Sequence, residues 1–259
     1  MRVVVNNKMD RLWATKSSND EWWSSFVTAP LAVLLNYIVV DVAWLTPNLL
    51  TLASFICALV AAGFVVAGGL ANFIIAAALI HLSHILDCMD GQMARYRRTT
   101  TASGSYYDRA TDQIQVGVWF GACGYAAFDQ TGDVLPAFLS LIGLGFYSLR
   151  GYTKYIAIHV EMSRDSAYLG TINAAALAPA PARREWTPAR GIRWFVGEQR
   201  KILRFDEGVF IFMLSLALIV DQLTAMLWVF AVSQAVIGSW RTWQHGRNIE
   251  LNQKRRADK

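Results

Sequence analysis

The chain has 259 residues, of which 54% are hydrophobic and 17% charged, and its mean hydropathy is +0.31. This composition lies outside the usual range of soluble domains and predicts an integral membrane protein. The formal net charge of +5 accompanies ten tryptophans and long apolar runs, so we expect membrane lipids and phosphorylated substrates as partners, and no nucleic acid.

Six apolar segments are candidates to cross about 30 Å of hydrocarbon as helices. They are residues 48–67, 71–95, 103–128, 134–159, 208–220 and 222–243. A further apolar stretch at 29–45 carries Asn36 and Asp41, and we interpret it as an interfacial helix along the membrane surface, with a seventh span as the alternative. The predicted fold is all-α and integral to the membrane, with six transmembrane helices and an N-terminal interfacial amphipathic helix.

Lysine and arginine are distributed unevenly among the connections. They occur before the first span, between spans two and three, between spans four and five, and after the sixth, whereas the other three connections contain none. Because positively charged loops are retained in the cytoplasm, this alternation predicts that both termini lie on the cytoplasmic side of the cytoplasmic membrane. The expected organisation is a cytoplasmic N-terminus with the interfacial helix at 1–47, a membrane domain at 48–243 with a cytoplasmic loop at about 161–206, and a basic cytoplasmic tail at 244–259.

Four aspartates lie near the cytoplasmic ends of spans two and three. Asp87 and Asp90 are three residues apart and Asp108 and Asp112 are four apart, so each pair occupies one helix face. The short turn between the pairs makes the helices antiparallel neighbours and brings the carboxylates to one depth. Such a cluster predicts a hard divalent cation, Mg²⁺ or Mn²⁺, with positions open for substrate phosphates. His84, one turn before Asp87, is either a neighbour of this site or a packing residue.

Two glycines and an arginine accompany the aspartates. Gly91 directly follows Asp90, and Gly104 precedes Asp108 by four residues. Because glycine costs about 1 kcal/mol relative to alanine inside a helix, its presence indicates that another group approaches the backbone. Arg95 can offer a bidentate fork to a phosphate, so the region is typical of a phosphoryl or pyrophosphate site. The alternative makes the glycines helix-packing positions and Arg95 a boundary residue that reaches the interface.

Residues 87–95 and 104–112 together resemble the motif of the CDP-alcohol phosphotransferase (CDP-alcohol phosphatidyltransferase) family, DxxDGxxAR(x8)GxxxDxxxD. Every fixed position of that motif matches. The segment 46–51, Thr-Pro-Asn-Leu-Leu-Thr, and the plan of six spans with an interfacial N-terminal helix are similar to the family as well. The resemblance covers roughly residues 22–154.

The resemblance implies a transfer reaction. A CDP-linked donor binds through its pyrophosphate to two Mg²⁺ or Mn²⁺ ions, an acceptor hydroxyl attacks the phosphate distal to cytidine, and CMP leaves. By this resemblance the metal ligands are Asp87, Asp90, Asp108 and Asp112. Asp112 is also the expected catalytic base. The donor contacts that the resemblance implies are Asn48, Thr51, Gly91, Ala94, Arg95 and Gly104.

The acceptor contacts fall outside the motif. Arg109 either faces the site or offsets the charge of Asp108. Arg150 and Lys154, one turn apart in span four, are candidate contacts for an acidic acceptor such as a sugar phosphate, or else they reach the cytoplasmic interface. The donor stays open between CDP-diacylglycerol and a small CDP-alcohol such as CDP-inositol, in phospholipid or phosphodiester biosynthesis. The resemblance also implies a homodimer.

Two other functions compete with this one. A membrane prenyltransferase also uses aspartate-bound Mg²⁺, but its second aspartate-rich motif is missing from the sequence. A carboxylate-lined cation transporter would favour a site near the bilayer midplane, whereas these aspartates lie at one membrane edge.

Overall fold

The structure is a computed structural model that describes residues 7–16, 21–170 and 187–257. Over these residues it consists of helices and connections, with no β-strand. The α-helices are α1 (Lys8–Trp13), α2 (Ala29–Val39), α3 (Pro47–Ala67), α4 (Leu70–Arg97), α5 (Ala102–Thr131), α6 (Leu135–Arg164), α7 (Pro188–Gln199), α8 (Glu207–Ile219) and α9 (Leu223–Ala257). A π-helical turn, Ser24–Thr28, leads into α2, and a 3₁₀ turn, Arg200–Arg204, follows α7. The all-helical prediction is confirmed for the described residues.

Three helices are long and apolar enough to cross a membrane: α3, α4 and Leu223–Arg256 of α9. Helices α5 and α6 have 30 residues each but include charged positions. Helix α8 has 13 residues, which corresponds to a length of about 20 Å. The membrane-embedded architecture is therefore supported by three helices, whereas the full set of six spans and the surface position of α2 stay predictions.

The helices extend beyond several predicted boundaries. Helix α6 continues to Arg164, and α9 continues to Ala257, so most of the predicted tail at 244–259 is helical. The connection predicted as a loop at about 161–206 contains α7, and its part at 171–186 lies outside the described residues.

Polar contacts explain why the ends of α6 and α9 stay helical together. The buried carboxylate of Glu161 accepts hydrogen bonds from Asn252 Nδ2 at 3.1 Å and from Arg256 Nη2 at 2.7 Å. These contacts join the last turns of both helices, and a local sequence pattern does not reveal them because the partners are about 90 residues apart.

The connection between α4 and α5 is short and tightly capped. Helix α4 ends at Arg98 in the left-handed conformation, with φ of 58°. The Thr101 side chain then caps α5 by accepting a hydrogen bond from the Gly104 amide at 3.0 Å. Only a few residues separate the two helices, but α3 packs along both of them, whereas α4 and α5 have little direct contact with each other. The prediction that α4 and α5 are packed antiparallel neighbours is therefore wrong, and their aspartates approach each other beside α3.

The apolar core lies between α3, α4, α5, α8 and α9. Phe120 of α5 and Phe230 of α9 stack with ring centroids 3.5 Å apart, and the indole of Trp119 donates to the Ala58 carbonyl oxygen at 3.1 Å. Helix α3 packs along both α4 and α5, while α6 packs along α9. Packing on α3 thus fixes the two helices, α4 and α5, that carry the four aspartates.

Candidate active site

Three of the four aspartates converge. Carboxylate oxygens of Asp87, Asp90 and Asp108 all lie within 4.8 Å of one another. The first two project from the end of α4 and the third from the beginning of α5. Asp112, the next turn of α5, lies outside this group of three.

The carboxylates fit a divalent metal ion. Asp90 is 5% exposed, and the buried Oδ1 atom of Asp87 has no hydrogen-bond partner among the described residues. A buried carboxylate oxygen without a partner is unfavourable unless a cation compensates it. A set of carboxylate oxygens is also the ligand type that Mg²⁺ and Mn²⁺ prefer. The site therefore has both the ligands and the unmet charge that a divalent ion would satisfy.

Thr51 of α3 orients Asp90. Its hydroxyl donates a hydrogen bond to Asp90 Oδ2 and lies 3.2 Å from the Pro47 carbonyl oxygen. The sequence predicts Thr51 only as a contact to the CDP-linked donor, and the structure adds a hydrogen bond to one of the clustered aspartates.

The six residues predicted to contact the CDP-linked donor line one cleft of about 120 Å³. Asp90 and Asp108 form part of the same cleft. The six residues are Asn48, Thr51, Gly91, Ala94, Arg95 and Gly104. The structure thus brings together positions from three helices, α3, α4 and α5, around the aspartates.

Both motif glycines border this cleft. A Cβ atom on Gly91 would lie 3.1 Å from Arg95 Nη1, and one on Gly104 would lie 3.0 Å from Thr101 Oγ1 and 3.6 Å from Asn48 Oδ1. The nearest atoms are therefore polar side chains of the cleft and its rim, and not the apolar surface of a packed helix. This geometry favours a role in binding over a role in helix packing.

Arg95 is held by the N-terminal segment. Its Nε atom donates to the Thr15 carbonyl oxygen at 2.7 Å, while its Nη atoms face Gly91. The side chain therefore bends over the cleft, which differs from the alternative in which it extends to the membrane interface.

The three candidate acceptor residues fall into two cavities. Arg109 lines a cavity of about 660 Å³ between α5 and α6, where its Nη1 atom lies 3.5 Å from the Tyr155 hydroxyl. Arg150 and Lys154 line a second cavity of about 460 Å³. Gln113 and Gly151 border both, so the cavities are adjacent.

Arg150 points into the helical bundle. Its Nη1 atom donates to the Phe205 carbonyl oxygen at 3.0 Å and to Gln234 Oε1 at 2.7 Å. These bonds tie α6 to α9 and to the start of α8. Lys154 is exposed at the cavity, with its ammonium group 5.8 Å from the Tyr155 ring centroid.

Three carboxylates of the second cavity are absent from the sequence-based predictions: Glu21, Asp206 and Glu207. Glu21 Oε2 accepts a hydrogen bond from the Gly208 amide at 2.5 Å. Burial and the charges of Asp206 and Asp112 raise the pKa of Glu21 to about 8, although the Gly208 amide and Arg150 oppose the shift. The only signal in the sequence is an acidic residue directly before Trp22 and Trp23 in a segment interpreted as peripheral.

His84 lies between the π-helical turn and Asp87. Its Nε2 atom lies 2.8 Å from the Ser24 hydroxyl, and its side chain is buried. Although a His84 nitrogen also comes near Asp87 and Cys88, the Ser24 contact joins α4 to the π-helical turn.

Comparisons with known proteins agree with the motif. A family model described as CDP-alcohol phosphatidyltransferase matches residues 44–240. The bifunctional IPC transferase and DIPP synthase of Thermococcus kodakarensis is 27% identical over 130 residues, which are 50% of this chain and 29% of that protein. The matched part is therefore less than a third of the length of this relative.

Two crystal structures of the phosphatidylinositol phosphate synthase of Mycobacterium tuberculosis share the fold. The structure with CDP-DAG bound has a TM-score of 0.51 at 20% identity, over 85% of this chain and 93% of that chain. The complex with manganese and citrate has a TM-score of 0.53 at 18% identity, over 85% of this chain and 88% of that chain. At these identities the likeness establishes the fold.

Proposed function

This chain belongs to the CDP-alcohol phosphatidyltransferase family, and we propose that it transfers a substituted phosphate group from a CDP-linked donor to an acceptor hydroxyl, with release of CMP. The observation that carries the proposal is the convergence of Asp87, Asp90 and Asp108 within 4.8 Å of one another. These carboxylates adjoin a cleft lined by every donor contact that the motif implies.

In this proposal Asp87, Asp90 and Asp108 hold Mg²⁺ or Mn²⁺, with two ions at the site and Asp112 completing the ligands. The metal, when bound, neutralises charge on the transferring phosphate and on the departing CMP. The manganese complex of the Mycobacterium tuberculosis synthase supports this choice of ion.

The chain's own residues bind and orient the donor. Thr51 fixes the Asp90 carboxylate, and Gly91 and Gly104 leave room beside the backbone for the CDP portion. Arg95, anchored through Nε, keeps its Nη atoms available for a phosphate oxygen. The synthase structure with CDP-DAG bound supports a CDP-linked donor. Either CDP-diacylglycerol or a small CDP-alcohol such as CDP-inositol is consistent with this cleft.

Asp112 is the proposed general base. It lies one turn beyond Asp108 and outside the group of three, while its charge acts on Glu21 in the second cavity. A carboxylate one helical turn from the cluster suits a group that removes a proton from an incoming alcohol. The acceptor oxygen then bonds to the distal phosphorus, the bond from that phosphorus to the CMP oxygen breaks, and CMP leaves.

Arg150 and Lys154 are the proposed acceptor contacts, because both line the second cavity, which is also bordered by Gln113, the residue that follows Asp112. Arg109 lies in the neighbouring cavity. It contacts the acceptor only if the acceptor extends past Gln113. We also propose a homodimer, with both termini and the active site on the cytoplasmic side, from the family resemblance and the positions of lysine and arginine. The membrane domain of 48–243 nearly coincides with the family match.

The test is release of CMP by the purified protein. In detergent with Mn²⁺, CDP-diacylglycerol and CDP-inositol are each combined with glycerol phosphate, serine, inositol and inositol phosphate. We expect one pair to release CMP. Asp112→Asn should lower that turnover by about 10²- to 10⁴-fold while Mn²⁺ and donor still bind.

The matched control is Asp129→Asn, which changes an exposed aspartate near the other end of α5 and should leave turnover unchanged. Normal turnover in Asp112→Asn would exclude this residue as the base. If no pair releases CMP while the protein moves Mn²⁺ across liposomes, the transporter hypothesis replaces the transferase.

A further inference from the structure

The cavity that contains Arg150 and Lys154 is lined by both acidic and basic side chains. Its volume of about 460 Å³ lies within the roughly 300–1,000 Å³ of small-molecule sites. The acidic groups are half-buried, as is Arg150, whereas two further cations are exposed and form the rim. The acidic groups are those of Glu21, Asp206 and Glu207, the rim cations are Lys154 and Arg241, and His245 also lines the cavity.

Glu21 is fixed in the cavity by the start of α8. The Gly208 amide bonds Oε2 at 2.5 Å, so one orphan N–H of that helix end is satisfied. A Cβ atom at Gly208 would lie 3.0 Å from Glu21 Cβ and 3.3 Å from the backbone nitrogen of Trp23. Glycine therefore allows the N-terminal segment to approach α8 closely.

Asp206 also carries an oxygen without a partner. Its Oδ1 atom is buried and has no hydrogen-bond partner among the described residues, although the charges of Arg204, Arg150 and Lys201 act on the carboxyl group. Burial raises the pKa of Asp206, as it does that of Glu21. Buried polar groups without partners are unfavourable, so this wall is complementary to a ligand with several hydroxyl groups, each of which can donate and accept a hydrogen bond.

The rim is complementary to an anionic group. Lys154 and Arg241 are exposed, and the single hydrogen bond of the Arg241 guanidinium in the described residues goes to Gln244 at 3.0 Å. Both cations therefore retain donors for a phosphate or carboxylate. The cavity also adjoins Asp112, because Gln113 lines it and the Asp112 charge acts on Glu21.

We propose that Glu21, with Asp206 and Glu207, forms the specificity-determining wall of the acceptor site and selects a polyhydroxy acceptor that carries one anionic group. This inference rests on the proposed function. Because Glu21 precedes residue 44, where the family match begins, the wall combines a family helix with a segment from outside the matched region. The hydroxyls contact the carboxylates, and the anionic group contacts Lys154 and Arg241.

The experiment compares Glu21→Gln with the wild-type protein in detergent and Mn²⁺. Glutamine keeps the shape and the carbonyl oxygen that accepts from Gly208, but its amide nitrogen can only donate, whereas a carboxyl oxygen at that position can also accept. We expect the KM for inositol phosphate to rise about 10-fold or more while the KM for the CDP-linked donor is unchanged. Glu207→Gln should act in the same direction, whereas Glu250→Gln, which removes an exposed pair with Lys254, should have no effect.

Calorimetric binding of inositol phosphate without any donor separates the two proposals. Binding that Glu21→Gln weakens supports the carboxylate wall even if no CMP is released by the wild-type protein. CMP release with unchanged acceptor KM in both Glu21→Gln and Glu207→Gln overturns the wall and leaves the transferase intact. Use of serine in preference to inositol phosphate overturns the polyhydroxy class. Thermal unfolding of each variant shows whether a loss of binding reflects a loss of folding.

Discussion

Gly104→Ala probes the donor cleft with a single methyl group. Gly104 is the third residue of α5, and its amide donates to Thr101 Oγ1 at 3.0 Å. The added Cβ would lie 3.0 Å from the same Thr101 oxygen and 3.6 Å from Asn48 Oδ1. The substitution therefore disturbs a helix cap and crowds a predicted donor contact at once.

Two opposing terms keep the change in stability small. Loss of an N-cap costs about 0.5–2 kcal/mol, while alanine gains up to about 1 kcal/mol over glycine in a helix. Binding has no such compensation, because the methyl group occupies space beside the aspartates. Crowding of this kind typically costs about 1–3 kcal/mol, which corresponds to a loss of donor affinity of roughly 5- to 150-fold.

The assay is calorimetric titration of CDP into the detergent-solubilised protein with Mn²⁺ present. The control is Gly117→Ala, because Gly117 lies in the same helix and a Cβ atom there would have no neighbour within 4 Å. We expect weak CDP binding in Gly104→Ala, wild-type binding in Gly117→Ala, and similar unfolding temperatures for both. Wild-type CDP affinity in Gly104→Ala, or an equal loss in both variants, would refute the assignment of this cleft to the donor.

Two further outcomes are expected. Asp87→Asn should weaken Mn²⁺ binding by about 10-fold or more, measured by calorimetry, because it removes charge from a buried oxygen that has no other partner; equal Mn²⁺ affinity in wild type and variant would contradict the ligand assignment. The free energy of unfolding should fall as the pH rises from about 5 to about 8. The pKa of Glu21 is about 8 in the folded protein and has an ordinary value of 4.5, so in this range the folded protein keeps a proton that the unfolded chain has released. This part amounts to at most about 5 kcal/mol and should vanish in Glu21→Gln, so parallel pH profiles of wild type and variant would show that Glu21 does not titrate as inferred.

The aspartate cluster was accessible to prediction because it depends on local geometry. Spacings of three and four residues place side chains on one helix face, and a short connection places two helix ends together. Whether Asp112 joins the cluster could be determined only from the structure. Four residues rotate about 400° around a helix and rise about 6 Å, so Asp112 is offset from Asp108 in angle and height, and helix packing decides whether it joins the cluster.

The second cavity depends on contacts between distant parts of the chain. Glu21 and Gly208 are 187 residues apart, and no periodicity relates them. The separation of Arg109 from Arg150 and Lys154 has the same origin, because it depends on how α5 and α6 are rotated relative to each other. Local patterns in the sequence carry no information about that rotation.

Helix α2 fixes the rotation of α4 at the aspartates. Asn36 Nδ2 donates to the Met89 carbonyl oxygen at 3.0 Å, and Gln92 Nε2 donates to the Ala29 carbonyl oxygen at 3.0 Å. Both amide side chains are buried, at 0% and 2% exposure, so breaking either bond would leave polar groups unsatisfied in an apolar environment. The two bonds flank Asp90 along α4, and a rotation of α4 that moved its carboxylate away from the cluster would break both.

The functional unit therefore begins before residue 44, where the family match starts. The segment 21–39 provides the amide contacts that set the direction of Asp90, and it also supplies Glu21 to the second cavity. Because one short stretch contacts α4 beside Asp90 and also lines the second cavity, a change in its packing on α4 would alter the position of the proposed carboxylate wall relative to the aspartates. In the proposed function, selection of the acceptor and placement of the aspartates thus depend on the same packed surface, where a short apolar helix packs against α4.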